Sequence, residues 1–134
     1  MRPLSRTEEH VGEWKMTFRA DTLEELFAEA ARVVSHSCGT TRGAPGEWEA
    51  VSLAARDNAS LLADWMNDLL GRSEVNARAY EDVRRLRIGD GRLEGEVRGR
   101  PVTEWRSPLK AATYHDLSVE RQGGRWRAVV LLDV

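Results

Sequence analysis

Two places in the chain combine residue types that could do chemistry. Glu9-His10-Val11-Gly12-Glu13 sets carboxylates and an imidazole just ahead of an alternating segment. Such a set could meet a hard cation, which favours carboxylate and main-chain carbonyl oxygens. Without a ligand it is a solvated N-terminal tail with a charge at a strand edge. Asp133 follows five apolar residues, Ala128-Val129-Val130-Leu131-Leu132. A carboxylate there must be paired or reach water, because an isolated buried charge is costly, and a metal ion is one natural partner. His115, in Thr113-Tyr114-His115-Asp116, has two similar readings, a ligand or a structural hydrogen-bonding residue. Lys15 and Lys110 are the only lysines beside 18 arginines. Each stands where arginine could have supplied charge alone.

No familiar catalytic signature accompanies these residues. The chain has no G-x-S-x-G, no glycine-rich phosphate loop, no H-E-x-x-H and no C-x-x-C. Gly89-Asp90-Gly91 lacks the remaining acids of a calcium loop and reads as a hairpin turn. The single cysteine, Cys38, excludes an internal disulfide and any cysteine-based zinc site. Arg84, Arg85 and Arg87 are the best basic cluster, small enough to read as a solvated strand face rather than a phosphate contact. The five tryptophans sit in different predicted elements, as core or rim residues would, and not as a stacking platform for bases.

The elements that must position these groups follow from periodicity. A length of 134 residues fits a single domain, 1–134, with residues 1–9 polar and flexible. Trp14, Met16 and Phe18 alternate with Lys15, Thr17 and Arg19, the pattern of a half-buried strand. Thr22 with Glu25 makes a capping box, opening a helix that Gly39 stops, with a loop from Thr40 to Gly46. Trp48–Leu53 reads as a strand. Asp57 or Asn58 caps a second helix whose apolar residues run from Leu61 to Leu70, ending at Gly71. Tyr80–Ile88 and Leu93–Val97 form a hairpin, and Gly99-Arg100-Pro101 breaks the run. Lys110–Glu120 and Trp126–Val134 form another hairpin around Gln122-Gly123-Gly124. The last strand is apolar on both faces, hence central or covered. Helices early and hairpins late predict an α+β fold, an antiparallel or mixed β-sheet with two helices.

Charge and hydropathy narrow the setting. The formal net charge is −2, with 41% hydrophobic and 31% charged residues, an ordinary balance for a soluble globular protein. Near-zero charge argues against gripping nucleic acid through an overall positive field, so no direct nucleic-acid binding is expected. Apolar runs stay short of the ~18 residues of a membrane span. The first residues lack the apolar segment of a signal peptide. The expected address is cytoplasmic, with no membrane partner. Residues 1–75 carry −5 and residues 76–134 carry +3.

Four segments, in order, resemble the archease family. His10-Val11-Gly12-Glu13-Trp14-Lys15-Met16 followed by Thr22-Leu23-Glu24-Glu25-Leu26-Phe27 is similar to the family's opening, H-T-A-D-x-G-I and a T-L-E-E helix. Leu61-Leu62-Ala63-Asp64-Trp65-Met66-Asn67-Asp68-Leu69-Leu70 resembles its L-L-x-D-W-L-N-E-L-L helix. Lys110-Ala111-Ala112-Thr113-Tyr114-His115-Asp116-Leu117 is similar to K-A-V-T-Y-H-x-L, and Val130–Val134 to the closing I-L-D-V. The second helix and the Lys110–Leu117 segment are the specific ones; T-L-E-E-L alone would be weak.

The resemblance implies a non-enzymatic accessory protein of GTP- and metal-dependent RNA ligases in tRNA splicing and RNA repair. It would promote guanylylation of the ligase histidine and allow multiple turnover. It also implies a divalent metal ion, calcium or manganese, at the positions matching the family's ligands: Glu13, Asp133 and the main chain of Val134. His10, Lys15, Lys110 and His115 would be adjacent. The sequence departs from the pattern at the metal motif: Glu replaces Asp at position 13, Val11-Gly12 replaces Thr-Ala, and Lys15 replaces glycine. Glu13 and Lys15 share a strand face, so Lys15 would compete with a cation for Glu13. These departures leave a second reading, a metal-binding or chaperone-like interaction module without a ligase role. A third, a hydrolase using Glu13, Asp133 and His10 on a metal-bound water, has only residue type behind it.

Overall fold

The computed structural model describes residues 2–134. The N-terminal segment expected to be flexible is a strand over most of its length. β1 (Leu4–His10) pairs antiparallel with β2 (Glu13–Ala20), Leu4 opposite Arg19 and His10 opposite Glu13. Polar composition does not prevent this, because the ladder is made by backbone groups and charged side chains suit an exposed edge strand. The Thr7 hydroxyl, 2.9 Å from Met16 Sδ, adds a side-chain tie.

α1 (Leu23–Ser37) opens as the capping box predicts: the Glu25 N–H donates to Thr22 Oγ1 at 3.1 Å, and the Thr22 hydroxyl donates to Glu25 Oε1. The expected loop beyond it begins instead with a short strand, β3 (Gly39–Thr41). β4 (Glu49–Ala54) follows, then α2 (Asn58–Asn76), capped by Asp57 Oδ1, which accepts from the Ser60 N–H at 2.7 Å. α2 does not end at Gly71. Arg72 in the next turn bonds Asp68, Glu49 and the Ala50 carbonyl, and the helix stops at Ala77 with φ 53°.

β5 (Arg78–Gly89) and β6 (Arg92–Trp105) form the expected hairpin around Asp90-Gly91. Gly99-Arg100-Pro101 does not interrupt β6. Gly99 lets the strand pass close to β5: a Cβ there would lie 3.0 Å from Arg78 Cβ and 3.1 Å from the Ala79 carbonyl oxygen. Past Pro101 the Val102 N–H donates to the Ala77 carbonyl, and the Pro101 carbonyl accepts from Arg42 N–H. The expected Lys110–Glu120 strand is two pieces, β7 (Ala111–Ala112) and β8 (Ser118–Gln122), separated by a turn with Asp116 at φ 51°. β9 (Arg125–Asp133) comes last.

The strands make two sheets, and every pairing is antiparallel. One is five-stranded, ordered β1-β2-β9-β7 with β8 also on β9; the other is four-stranded, β3-β6-β4 with β5 on β6. β9 is central, as its apolar composition requires. Its inner face (Ala128, Val130, Leu132) and that of β2 (Met16, Phe18, Ala20) are buried against the core, which includes Leu26, Phe27, Leu62 and Trp65 of the helices. Trp65 Nε1–H donates to the Phe27 carbonyl at 2.9 Å and locks α2 on α1. No described helix is long and apolar enough to cross a membrane.

Candidate functional site

The β1–β2 turn is two residues long. Gly12 takes φ +79°, and Val11 at the tip is fully exposed. This tight turn sets His10 opposite Glu13. On its other side Glu13 is the direct partner of Asp133. The Val134 N–H donates to the Gly12 carbonyl at 3.2 Å, while the Asp133 carbonyl points away and accepts from the Lys110 N–H at 2.8 Å. Glu13 and Asp133 therefore form a non-hydrogen-bonded pair, the rung at which opposed side chains approach most closely. Two acidic residues far apart in the sequence are thus set side by side on the outer face of the sheet, away from the helices.

Around this pair the other candidates divide. His10 occupies the same rung on β1 and is exposed. Lys15 lies one rung along, opposite Glu8 and Leu131, and makes no ion pair with Glu13. A cleft of about 410 Å³ runs between His10, Glu13, Lys15, Asp116 and Ser118. His115 does not line it; its Nε2 lies 3.2 Å from Asp116 Oδ2 on an exposed turn. Lys110 contributes its backbone N–H to Asp133 and has an exposed side chain. The main chain of Val134 is held beside the pair by Gly12.

Among the described residues, no three His, Cys, Asp or Glu side chains converge to hold a metal ion. Two opposed carboxylates on an open face instead fit a hard divalent cation whose remaining positions are filled by water or by oxygens of another molecule. They do not form a closed cage. Cys38 is buried, and burial pushes its thiol above the ordinary range, so it is not poised as a thiolate.

Sequence reasoning passed over the residues that tie the two most specific motifs together. On α2, Asn67 Oδ1 accepts from the Ala112 N–H at 2.7 Å and its Nδ2 donates to the Ala112 carbonyl at 3.0 Å. One turn earlier, Asp64 accepts a hydrogen bond from the Tyr114 hydroxyl. That bond, with burial and the carboxylate's charge behind it, raises the Tyr114 phenol above its ordinary range. The available signal was a pair of polar residues, three apart, within the apolar stripe of α2. They anchor the β7 segment, whose neighbour Lys110 holds Asp133.

The matches to known proteins cover the same elements. The model of the archease protein family matches residues 6–134. The archease of Methanopyrus kandleri is 33% identical, over 94% of this chain and 96% of its own. That of Methanosarcina mazei is 30% identical, over 94% and 92%. Among solved structures, protein 1598 of Methanobacterium thermoautotrophicum shares the fold with a TM-score of 0.76 at 24% identity, covering 97% of this chain and 98% of its own. An archease of Thermotoga maritima, described as a possible chaperone, superimposes with a TM-score of 0.67 at 21% identity, covering 98% of each chain. The chain belongs to the archease family.

Proposed function

We propose that the protein is a non-enzymatic accessory factor of a GTP- and metal-dependent RNA ligase, acting in the cytoplasm in tRNA splicing or RNA repair. It raises guanylylation of the ligase histidine and sustains repeated turnover. Family membership supports the class. The observation that carries the mechanism is the register that makes Glu13 and Asp133 cross-strand partners on an open face.

Glu13 and Asp133 hold the divalent cation, calcium or manganese, with the main chain of Val134 beside them. A bound cation would supply positive charge between the carboxylates and a Lewis-acidic centre facing the partner. The Gly12 turn fixes Glu13, and Lys110 and Gly12 fix the β9 end through backbone bonds. Exposed Val11 and His10 project from the same tip, where a partner protein would first touch. The test is a reconstituted reaction of ligase, GTP and manganese with and without the protein, reading covalent guanylate on the ligase and turnovers per ligase. Stimulation by wild type and its loss in Glu13→Ala are expected. No stimulation, or equal stimulation by Glu13→Ala, overturns the mechanism.

A second reading is a metal-binding or chaperone-like interaction module without a ligase role. It is favoured by Lys15, which puts a cation on the rung next to Glu13, and by the Thermotoga maritima relative's description as a possible chaperone. Absence of ligase stimulation together with no binding of calcium or manganese in isothermal titration would favour it.

A further inference from the structure

Half of the 18 arginines of this protein pair with carboxylates among the described residues. Arg32 pairs with Glu29, Arg72 with Asp68 and Glu49, Arg84 and Arg85 with Glu96, Arg87 with Glu94, and Arg98 with Asp82. The cluster that stands out in the sequence, Arg84 to Arg87, thus has carboxylate partners, Glu94 and Glu96, on its own hairpin. The outer face of the five-stranded sheet is different. Arg6, Lys15, Arg19 and Arg127 line one cleft of about 440 Å³, and none has an ion pair or side-chain hydrogen bond among the described residues. Glu8 is the only acid in its wall.

The arrangement follows from register. Lys15, Thr17 and Arg19 share the outer face of β2; Arg6 stands opposite Thr17 on β1, and Arg127 opposite Arg19 on β9. Cations therefore recur at three successive rungs of the face, those of Lys15, Thr17 and Arg19, about 6.6 Å apart along the strands, a spacing on the scale of one extended nucleotide unit. Arg19 and Arg127 face each other directly, and like charges so placed destabilise a sheet. Across β9, Glu120 of β8 stands opposite Arg127, but its carboxylate accepts from Gln122 Nε2 and makes no ion pair with Arg127 among the described residues, so both guanidinium groups stay open to an anionic ligand.

We infer that this cleft binds the phosphodiester backbone of a single-stranded nucleic acid. Four cations around the Thr17 hydroxyl match a row of phosphates, and three of the four are arginines, whose planar forks suit phosphate oxygens. An acidic protein surface is the poorer fit. Protein interfaces centre on apolar and aromatic anchors, and among the described residues the only apolar side chain of this cleft is Leu4. No aromatic ring lines it, so bases are not stacked and the binding is indifferent to sequence. Lys15 also borders the cleft beside Glu13, so the strand would run along the sheet toward the carboxylate pair. The inference stands without the ligase reading, because it concerns the isolated protein.

The test is fluorescence anisotropy of a labelled oligouridine of about 20 nucleotides, titrated with the protein from about 50 to about 200 mM salt. Four phosphate contacts predict that log K falls with log salt at a slope of about −2.8. Arg19→Gln/Arg127→Gln should weaken binding at least about tenfold at the lowest salt and bring the slope to about −1.4. Arg84→Gln/Arg87→Gln, on the paired cluster, should leave both unchanged. No binding at the lowest salt, or an unaffected Arg19→Gln/Arg127→Gln variant, overturns the assignment. So does displacement of the RNA by polyglutamate at equal charge, which would mark the cleft as a seat for an acidic protein.

Discussion

Asn67 and Ala112 exchange two hydrogen bonds, so an α2 side chain does for β7 what a neighbouring strand would do. Ala112 is only 3% exposed, and water cannot readily replace either bond. Asn67→Ala should lower unfolding free energy by about 2–3 kcal/mol, the cost of orphaning a buried donor and acceptor. Asn67→Asp, which keeps the acceptor and loses the donor, should lose part of this. Urea denaturation of both variants reads the difference; equal stability to wild type would show that Ala112 is satisfied in another way.

The Tyr114–Asp64 bond gives a signature at alkaline pH. The folded phenol lies above its unfolded value, the Asp64 carboxylate favouring the protonated form. Its contribution is therefore complete below about pH 10, the unfolded value, and is lost as pH rises through the raised folded value. Tyr114 is 55% exposed, so Tyr114→Phe should cost less than about 1 kcal/mol at pH 7. The stability gap between wild type and Tyr114→Phe should close with rising pH. A gap that stays constant into the alkaline range would contradict this.

Glu13 and Asp133 oppose each other with like charge. In chelator, Glu13→Gln and Asp133→Asn should keep or raise Tm, since directly opposed like charges destabilise a sheet by up to about 1 kcal/mol. In millimolar calcium or manganese the wild-type Tm should rise, as any ligand of the folded state requires, and the rise should vanish in both variants. Equal rises in all three proteins would place the cation elsewhere.

Gly99 passes too close to β5 for a side chain. Gly99→Ala should destabilise by about 1–3 kcal/mol through overpacking against Arg78 and Ala79. Gly71→Ala, where a Cβ meets nothing within 4 Å, should be neutral or stabilising by up to about 1 kcal/mol, because the residue lies inside α2. Thermal melts of the two variants compare the positions directly.

These two glycines show where local reading was sound and where it failed. The helix caps at Thr22 and Asp57, the Asp90-Gly91 turn and the central β9 were legible, because capping, left-handed turns and apolar alternation are properties of neighbouring residues. Gly71 and Gly99 carry the same composition signal as a stop, yet each sits inside an element. What keeps the elements going is remote: Arg72 reaching Glu49, and β5 lying against β6. β1 was missed for a related reason, since its stability comes from backbone pairing with β2 and not from its own side chains. At the site, residue type marked Glu13 and Asp133 separately, and the family resemblance joined them. The cationic cleft was invisible, because Arg6, Lys15, Arg19 and Arg127 come from three strands and mean nothing until register aligns them. The net charge of −2 is a sum over the whole chain and carries no trace of which cations share a face.

The partnership of β2 with β9 also bears on how the protein is made. The β1–β2 hairpin leaves the ribosome early, with Met16 and Phe18 on one face and one edge unpaired until residues 125–133 arrive. A two-stranded hairpin is marginal alone, and pairing between strands so distant in the chain is slow. The four-stranded sheet and both helices can form before that point, whereas the five-stranded sheet can only close when β9 inserts between β2 and its partners β7 and β8. During synthesis the waiting hairpin is thus the segment most open to mispairing with other chains, and translation stalled before Arg125 would leave it so.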